Sequence, residues 1–154
     1  MDNQLFDAIL SMDSYNRGYN PGIDLASVLG VPESDAFDSA HPIMIGNAAI
    51  IASDGVHDPA ALADGFYAIA YQYGSTVTIA YRGTDKFTSG SFDGVDFGGD
   101  IYNSYGSGAG LSETPQSILA FAFYKTVAAQ AALSGDTVTL TGHSLGGGLA
   151  GLNP

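Results

Sequence analysis

The feature that most narrows the folds open to this chain is the pentapeptide Gly142-His143-Ser144-Leu145-Gly146. It stands between the β-branched apolar run Thr137-Val138-Thr139-Leu140-Thr141 and a Gly-rich segment that continues to Leu152. The first run reads as a strand and the second as a helix, so the pentapeptide is a tight bend from extended into helical backbone. Such a bend presses the end of the strand against the first turn of the helix, which leaves no room for a Cβ at Gly142 or Gly146. The residue between them, Ser144, is forced into strained backbone with its Oγ standing clear. A strand feeding directly into a helix is a building unit of α/β folds, so an α/β sheet with flanking helices is expected.

The rest of the chain supplies further pieces of such a sheet. Phe66-Tyr67-Ala68-Ile69-Ala70-Tyr71-Gln72-Tyr73 and Thr76-Val77-Thr78-Ile79-Ala80-Tyr81 flank Gly74-Ser75, a two-residue hairpin signal that predicts two antiparallel strands. Ser112 or Thr114 caps a helix that Pro115 initiates and Ser134-Gly135 ends. Its apolar face is expected to hold Ile118, Phe121, Ala122, Val127, Ala128, Ala131 and Ala132, running to Leu133. A short amino-terminal helix fits Leu5-Phe6-Asp7-Ala8-Ile9-Leu10, with Gly18, Pro21 and Gly22 breaking it. From Tyr15 to Pro42 the composition reads as surface loop without legible chemistry. The Gly-rich stretch between Lys86 and Leu111 suits a long mobile loop, a lid or a substrate-side loop. No repeat or linker divides the 154 residues, so 1–154 is read as one domain.

Charge excludes some partners. Sixteen acidic residues stand against four basic ones, Arg17, Arg82, Lys86 and Lys125, and the formal charge of −12 repels phosphate backbones and anionic bilayers, so no nucleic-acid partner is expected. No apolar run reaches the roughly 18 residues a membrane-spanning helix needs, and the start MDNQLFDAIL lacks the basic region of a signal peptide. The absence of cysteine excludes disulfides and thiolate metal sites and fits a secreted or a cytoplasmic protein equally.

Glycine, any residue, serine, any residue, glycine at a strand-to-helix bend is the pattern of a nucleophile elbow. The helix opening near Leu145 aims backbone N–H groups at the same spot, so the Leu145 amide supplies half of an oxyanion hole. The competing reading is a phosphate-binding turn, but that needs a lysine after the glycines or G-x-G-x-x-G spacing, and neither occurs.

Thr141-Gly142-His143-Ser144-Leu145-Gly146-Gly147-Gly148-Leu149-Ala150, preceded by Ala80-Tyr81-Arg82-Gly83-Thr84-Asp85, resembles the class 3 (fungal-type) lipases and similar bacterial secreted lipases of the α/β-hydrolase superfamily. The likeness covers roughly residues 66 to 152 and implies an α/β-hydrolase-type sheet. It also implies that Thr84, after Arg82-Gly83, supplies the second oxyanion group through its N–H and hydroxyl. Thr84 falls at the end of a predicted strand, where α/β sheets place their ligands. The activity implied is carboxylic-ester hydrolysis of a lipid through an acyl-enzyme on Ser144, as in a triacylglycerol lipase. A phospholipase or acyltransferase on the same elbow reads identically in sequence. No cofactor is required, calcium would be structural in a longer parent, and a secreted location is implied.

Other residues carry more modest expectations. Arg82 is expected to pair with a carboxylate such as Asp85 and hold the strand end. His143 is expected to pack near the sheet and not to act as base, because adjacent side chains diverge at this bend. His41 and His57 read as solvated or capping. Asp93-Gly94-Val95-Asp96-Phe97-Gly98-Gly99-Asp100 has an oxygen-rich look, but Ser104 stands where an EF-hand loop starting at Asp93 needs glutamate, so a solvated loop is expected.

In α/β-hydrolases the acid and the histidine follow the serine, yet the ten residues after Ser144 contain neither. The triad and the sheet are therefore expected to be incomplete in this chain, with a carboxy-terminal part or a second chain supplying them and an open strand edge near Val138 and Leu140. The complete parent reads as a serine esterase. The isolated chain reads as a catalytically silent fragment or binding module that retains the elbow.

Overall fold

Side-chain alternation along the strands sets the layers of this protein. In the segment 67–71, Tyr67, Ile69 and Tyr71 join one apolar cluster while Ala68 and Ala70 join another, and all five are fully buried. A strand buried on both faces must lie inside a sheet covered on both sides. The structure, a computed structural model, describes residues 3–17, 42–54, 61, 64–83 and 114–152. It shows a mixed five-stranded open sheet with flanking helices, an α/β-type arrangement. The strands β1 (Met44–Ile45), β2 (Ala48–Asp54), β3 (Ala68–Tyr73), β4 (Thr76–Tyr81) and β5 (Thr137–Gly142) lie in that spatial order.

β1 to β4 pair antiparallel, while β5 joins β4 in parallel, with Thr76 opposite Thr137 and Tyr81 opposite Gly142. That register places the exits of β4 and β5 side by side on one edge of the sheet. The expected hairpin at Gly74-Ser75 is present, with Gly74 at φ +58. The β1–β2 hairpin was not anticipated from sequence; it turns at Gly46, φ +58, and its alanine-rich strand gives little β signal.

Helix α1 (Asn3–Asp13), followed by a 3₁₀ turn at Ser14–Asn16, covers one face of the sheet through Leu10, with Phe6 and Ile9 alongside. Helices α2 (Pro115–Ser134) and α3 (Leu145–Leu152) cover the other. Thr114 is the cap of α2: its Oγ1 accepts from the Ser117 N–H at 3.2 Å, and Gly135 in left-handed backbone closes the far end. The face α2 buries keeps Val127 and Ala131 of the expected one but differs from it in the first half of the helix. Ala120, Phe123, Val127 and Ala131 pack inward, while Ile118, Phe121 and Ala122 are exposed. Apolar residues surround this helix, so periodicity alone had no preferred side to pick. Among the described residues α2 is the one helix long and apolar enough to cross a membrane by length and composition, but its buried side belongs to the sheet's core.

Candidate active site

The bend after β5 has the shape its glycines require. A Cβ built on Gly142 would fall under 3.0 Å from the backbone of Gly146 and Gly147, and one on Gly146 would collide with the backbone of Tyr81. The helix start thus lies directly against the end of β4, an approach open only to glycine. Ser144 takes the strain: at φ +57 it is the only non-glycine residue with positive φ among the described residues, a conformation that costs about 1–2 kcal/mol. Its side chain is exposed.

The helix start also leaves a donor at the same spot. Gly146 N–H donates to the His143 carbonyl at 3.0 Å, and the amides of Gly147 and Gly148 donate to the Ser144 carbonyl at 3.0 and 3.4 Å. The Leu145 amide, at the first helical position, is one of the groups a helix leaves without an internal acceptor.

The exit of β4 runs beside this bend. A Cβ built on Gly83 would lie 3.2 Å from the Ser144 Cβ and 2.5 Å from both the His143 carbonyl oxygen and the Tyr15 hydroxyl. Gly83 immediately precedes Thr84, which lies outside the described residues, as do Asp85, His41, His57, the candidate lid at 86–111 and the acidic loop at 93–100. Ser144 and Gly83, the residue before Thr84, are therefore neighbours, although the sequence separates them by some 60 positions.

Further residues frame the site, and of these Tyr15, Asp13, Arg17 and Tyr71 were not singled out from sequence as chemistry-bearing. Tyr15 Oη accepts from the Gly83 N–H at 3.0 Å and lies 3.2 Å from His143 Nδ1, with the two rings edge to face at 5.9 Å. His143 is exposed and stands against Tyr15, not packed near the sheet as expected. Asp13 and Arg17, both fully buried, form a two-pronged ion pair at 2.9 and 3.0 Å, and Tyr71 Oη donates to the same carboxylate at 2.8 Å. Burial, reinforced by the Asp13 charge, holds the Tyr71 hydroxyl well above its ordinary pKa of 10.0. Arg82 is buried with its guanidinium 4.6 Å above the Tyr67 ring and Nη1 donating to the Arg17 carbonyl at 3.1 Å. It ties the end of β4 to the Arg17 backbone and the Tyr67 ring, while the carboxylate expected for it, Asp85, lies outside the described residues. The i,i+4 spacing of Asp13 and Arg17 was the available sequence signal for this cluster.

Among the described residues no group of three or more His, Asp or Glu could hold a metal ion. No protein-family model, curated protein or solved structure matches the chain.

Proposed function

We propose that this chain carries the nucleophile of a serine-dependent carboxylic-ester hydrolase acting on lipid, on an α/β-hydrolase-type scaffold like that of the lipases its motifs resemble. The observation that carries the proposal is Ser144: exposed, at positive φ, at a strand-to-helix bend, and beside the exit of β4. Backbone strain of this kind persists only where the surrounding packing imposes it, and it clusters at functional sites.

In this reading Ser144 Oγ attacks the ester carbonyl carbon as a base takes its proton, and the carbonyl π electrons move onto oxygen. That oxyanion accepts from the Leu145 N–H and from Thr84. Collapse expels the alcohol, which takes the proton, and water then releases the acid from the acyl-serine by the same route. The base lies outside the described residues, since His143, the one histidine among them, faces Tyr15. The lipid substrate and a secreted location rest on the resemblance; the chemistry itself needs no cofactor.

The lack of a described base gives one specific ground for a second reading, a binding module that keeps the bend without turnover. A fluorophosphonate probe separates the two when the adduct is mapped by peptide mass spectrometry. Labelling at Ser144, abolished in Ser144→Ala, is expected; labelling at another residue sinks the assignment, and no labelling at all favours the binding module.

A further inference from the structure

We infer that Tyr15 is a positioning residue for the hydrolytic site, holding the exit of β4 at Gly83 in register with the bend that presents Ser144. The inference rests on the ester-hydrolase reading for its chemistry and on geometry for its placement. A phenol oxygen offers one proton and two lone pairs. Here the oxygen accepts the Gly83 N–H at 3.0 Å and also meets His143, its Nδ1 at 3.2 Å and its carbonyl oxygen at 3.4 Å. Whichever ring nitrogen carries the imidazole proton, the hydroxyl bridges the residue before Thr84 and the residue before Ser144.

The bridge is rigid at its own base. Two residues before Tyr15, Asp13 is locked in its buried ion pair; two residues after it, the Arg17 carbonyl accepts from Arg82, the neighbour of Gly83. Two cross-links thus join the same pair of segments, Tyr15 to Gly83 and Arg17 to Arg82. Gly83 fits only without a side chain, since a Cβ there would meet the Tyr15 hydroxyl and the His143 carbonyl at once. An oxyanion hole whose two donors come from separate segments works only while their separation is fixed, because misplacement of even one donor forfeits transition-state stabilisation. Tyr15 touches neither the reacting carbon nor Ser144 Oγ in this account; it acts through Gly83 and His143.

The test measures saturation kinetics of fluorophosphonate labelling on the full chain, comparing Tyr15→Phe with the unsubstituted protein. Removing the hydroxyl should lower the limiting labelling rate about tenfold, less than the 10²–10³ that follows loss of an oxyanion donor itself. The half-saturating probe concentration should stay unchanged, and the melting temperature should fall by no more than about 2–4 °C, the loss expected for one hydroxyl's bonds. An unaltered limiting rate, or a change confined to half-saturation, overturns the role. Hydrogen exchange of the Gly83 amide gives a second readout that does not depend on the variant folding. Protection in the unsubstituted protein, lost in Tyr15→Phe, is expected, and an unprotected Gly83 amide overturns the bridge. Failure of the unsubstituted chain to form any Ser144 adduct overturns the hydrolase reading and the role together, whereas an adduct whose rate ignores Tyr15 removes only the role.

Discussion

Two glycines of the same short helix provide a matched test of the close approach at the elbow. Gly146→Ala and Gly151→Ala make the same chemical change in α3, and each gains up to about 1 kcal/mol because alanine loses less backbone entropy than glycine in a helix. Their surroundings differ. A Cβ at Gly151 meets no atom within 4 Å, whereas one at Gly146 is driven into the Tyr81 carbonyl and onto the Arg82 backbone, neither of which can swing aside as a side chain can. Overpacking of this kind costs about 1–3 kcal/mol, and backbone obstruction belongs at the upper end. The net expectation is a gain below about 1 kcal/mol for Gly151→Ala and a loss of about 1–2 kcal/mol for Gly146→Ala. For a chain of 154 residues, about 2–4 °C per kcal/mol applies, so the separation of about 1–3 kcal/mol should set the two melting temperatures about 2–12 °C apart in thermal unfolding followed by circular dichroism. Gly146→Ala should also slow probe labelling of Ser144, because the helix can make room only by shifting away from β4. If Gly146→Ala melts as high as Gly151→Ala, the packing of α3 on Tyr81, and with it the cause assigned to the Ser144 strain, is wrong.

Other predictions address the buried charges beneath the site. Asp13→Ala strands Arg17 in the core and removes the acceptor of Tyr71, so it should cost about 3–5 kcal/mol and lower the urea midpoint by about 2 M; a shift within error of zero would show that the pair is not buried as described. Tyr71 supplies a pH dependence. Its folded pKa is raised above the unfolded value of 10.0, so above that pH the unfolded chain binds fewer protons than the native one, and stability falls as pH rises. Tyr71→Phe should lose about 1 kcal/mol near neutrality with its hydrogen bond to Asp13, yet show a shallower decline in melting temperature above pH 10 than the unsubstituted protein. An identical alkaline slope in both would exclude Tyr71 as its source.

What could be read from sequence was what local sterics and pairing decide. Gly142 and Gly146 announce a bend because no other residue fits there. The β3–β4 hairpin follows from its two-residue loop, and the ends of α2 from Thr114, Pro115 and Gly135. Burial direction was not legible where both sides of an element are apolar, as in α2, whose Ile118 and Phe121 face outward although nothing in their spacing says so. Nor was the role of the amino-terminal segment. Tyr15 acts across 68 and 128 positions on Gly83 and His143, and Arg17 across 65 on Arg82. A polar stretch with no period carries no local sign of such partners, because tertiary contacts alone select them.

The amino-terminal segment and the elbow also depend on one another energetically. Ser144 relaxes its φ only if Gly146 withdraws from Tyr81, and Tyr81 is pinned at its far end by the hydroxyl bond to the Ala120 carbonyl at 3.1 Å and by its place in the core beneath α2. The next two residues along the same backbone, Arg82 and Gly83, are gripped from the opposite side of the sheet by Arg17 and Tyr15. The exit of β4 is thus clamped between α2 and the 3₁₀ turn, and the strained serine leans on that clamp through Gly146. Loosening either jaw moves the same short stretch, residues 81–83, that holds the strain in place and immediately precedes Thr84. Substitutions as distant as Asp13 should therefore impair Ser144 reactivity through this stretch, whereas changes at the exposed positions of α2 should leave it intact.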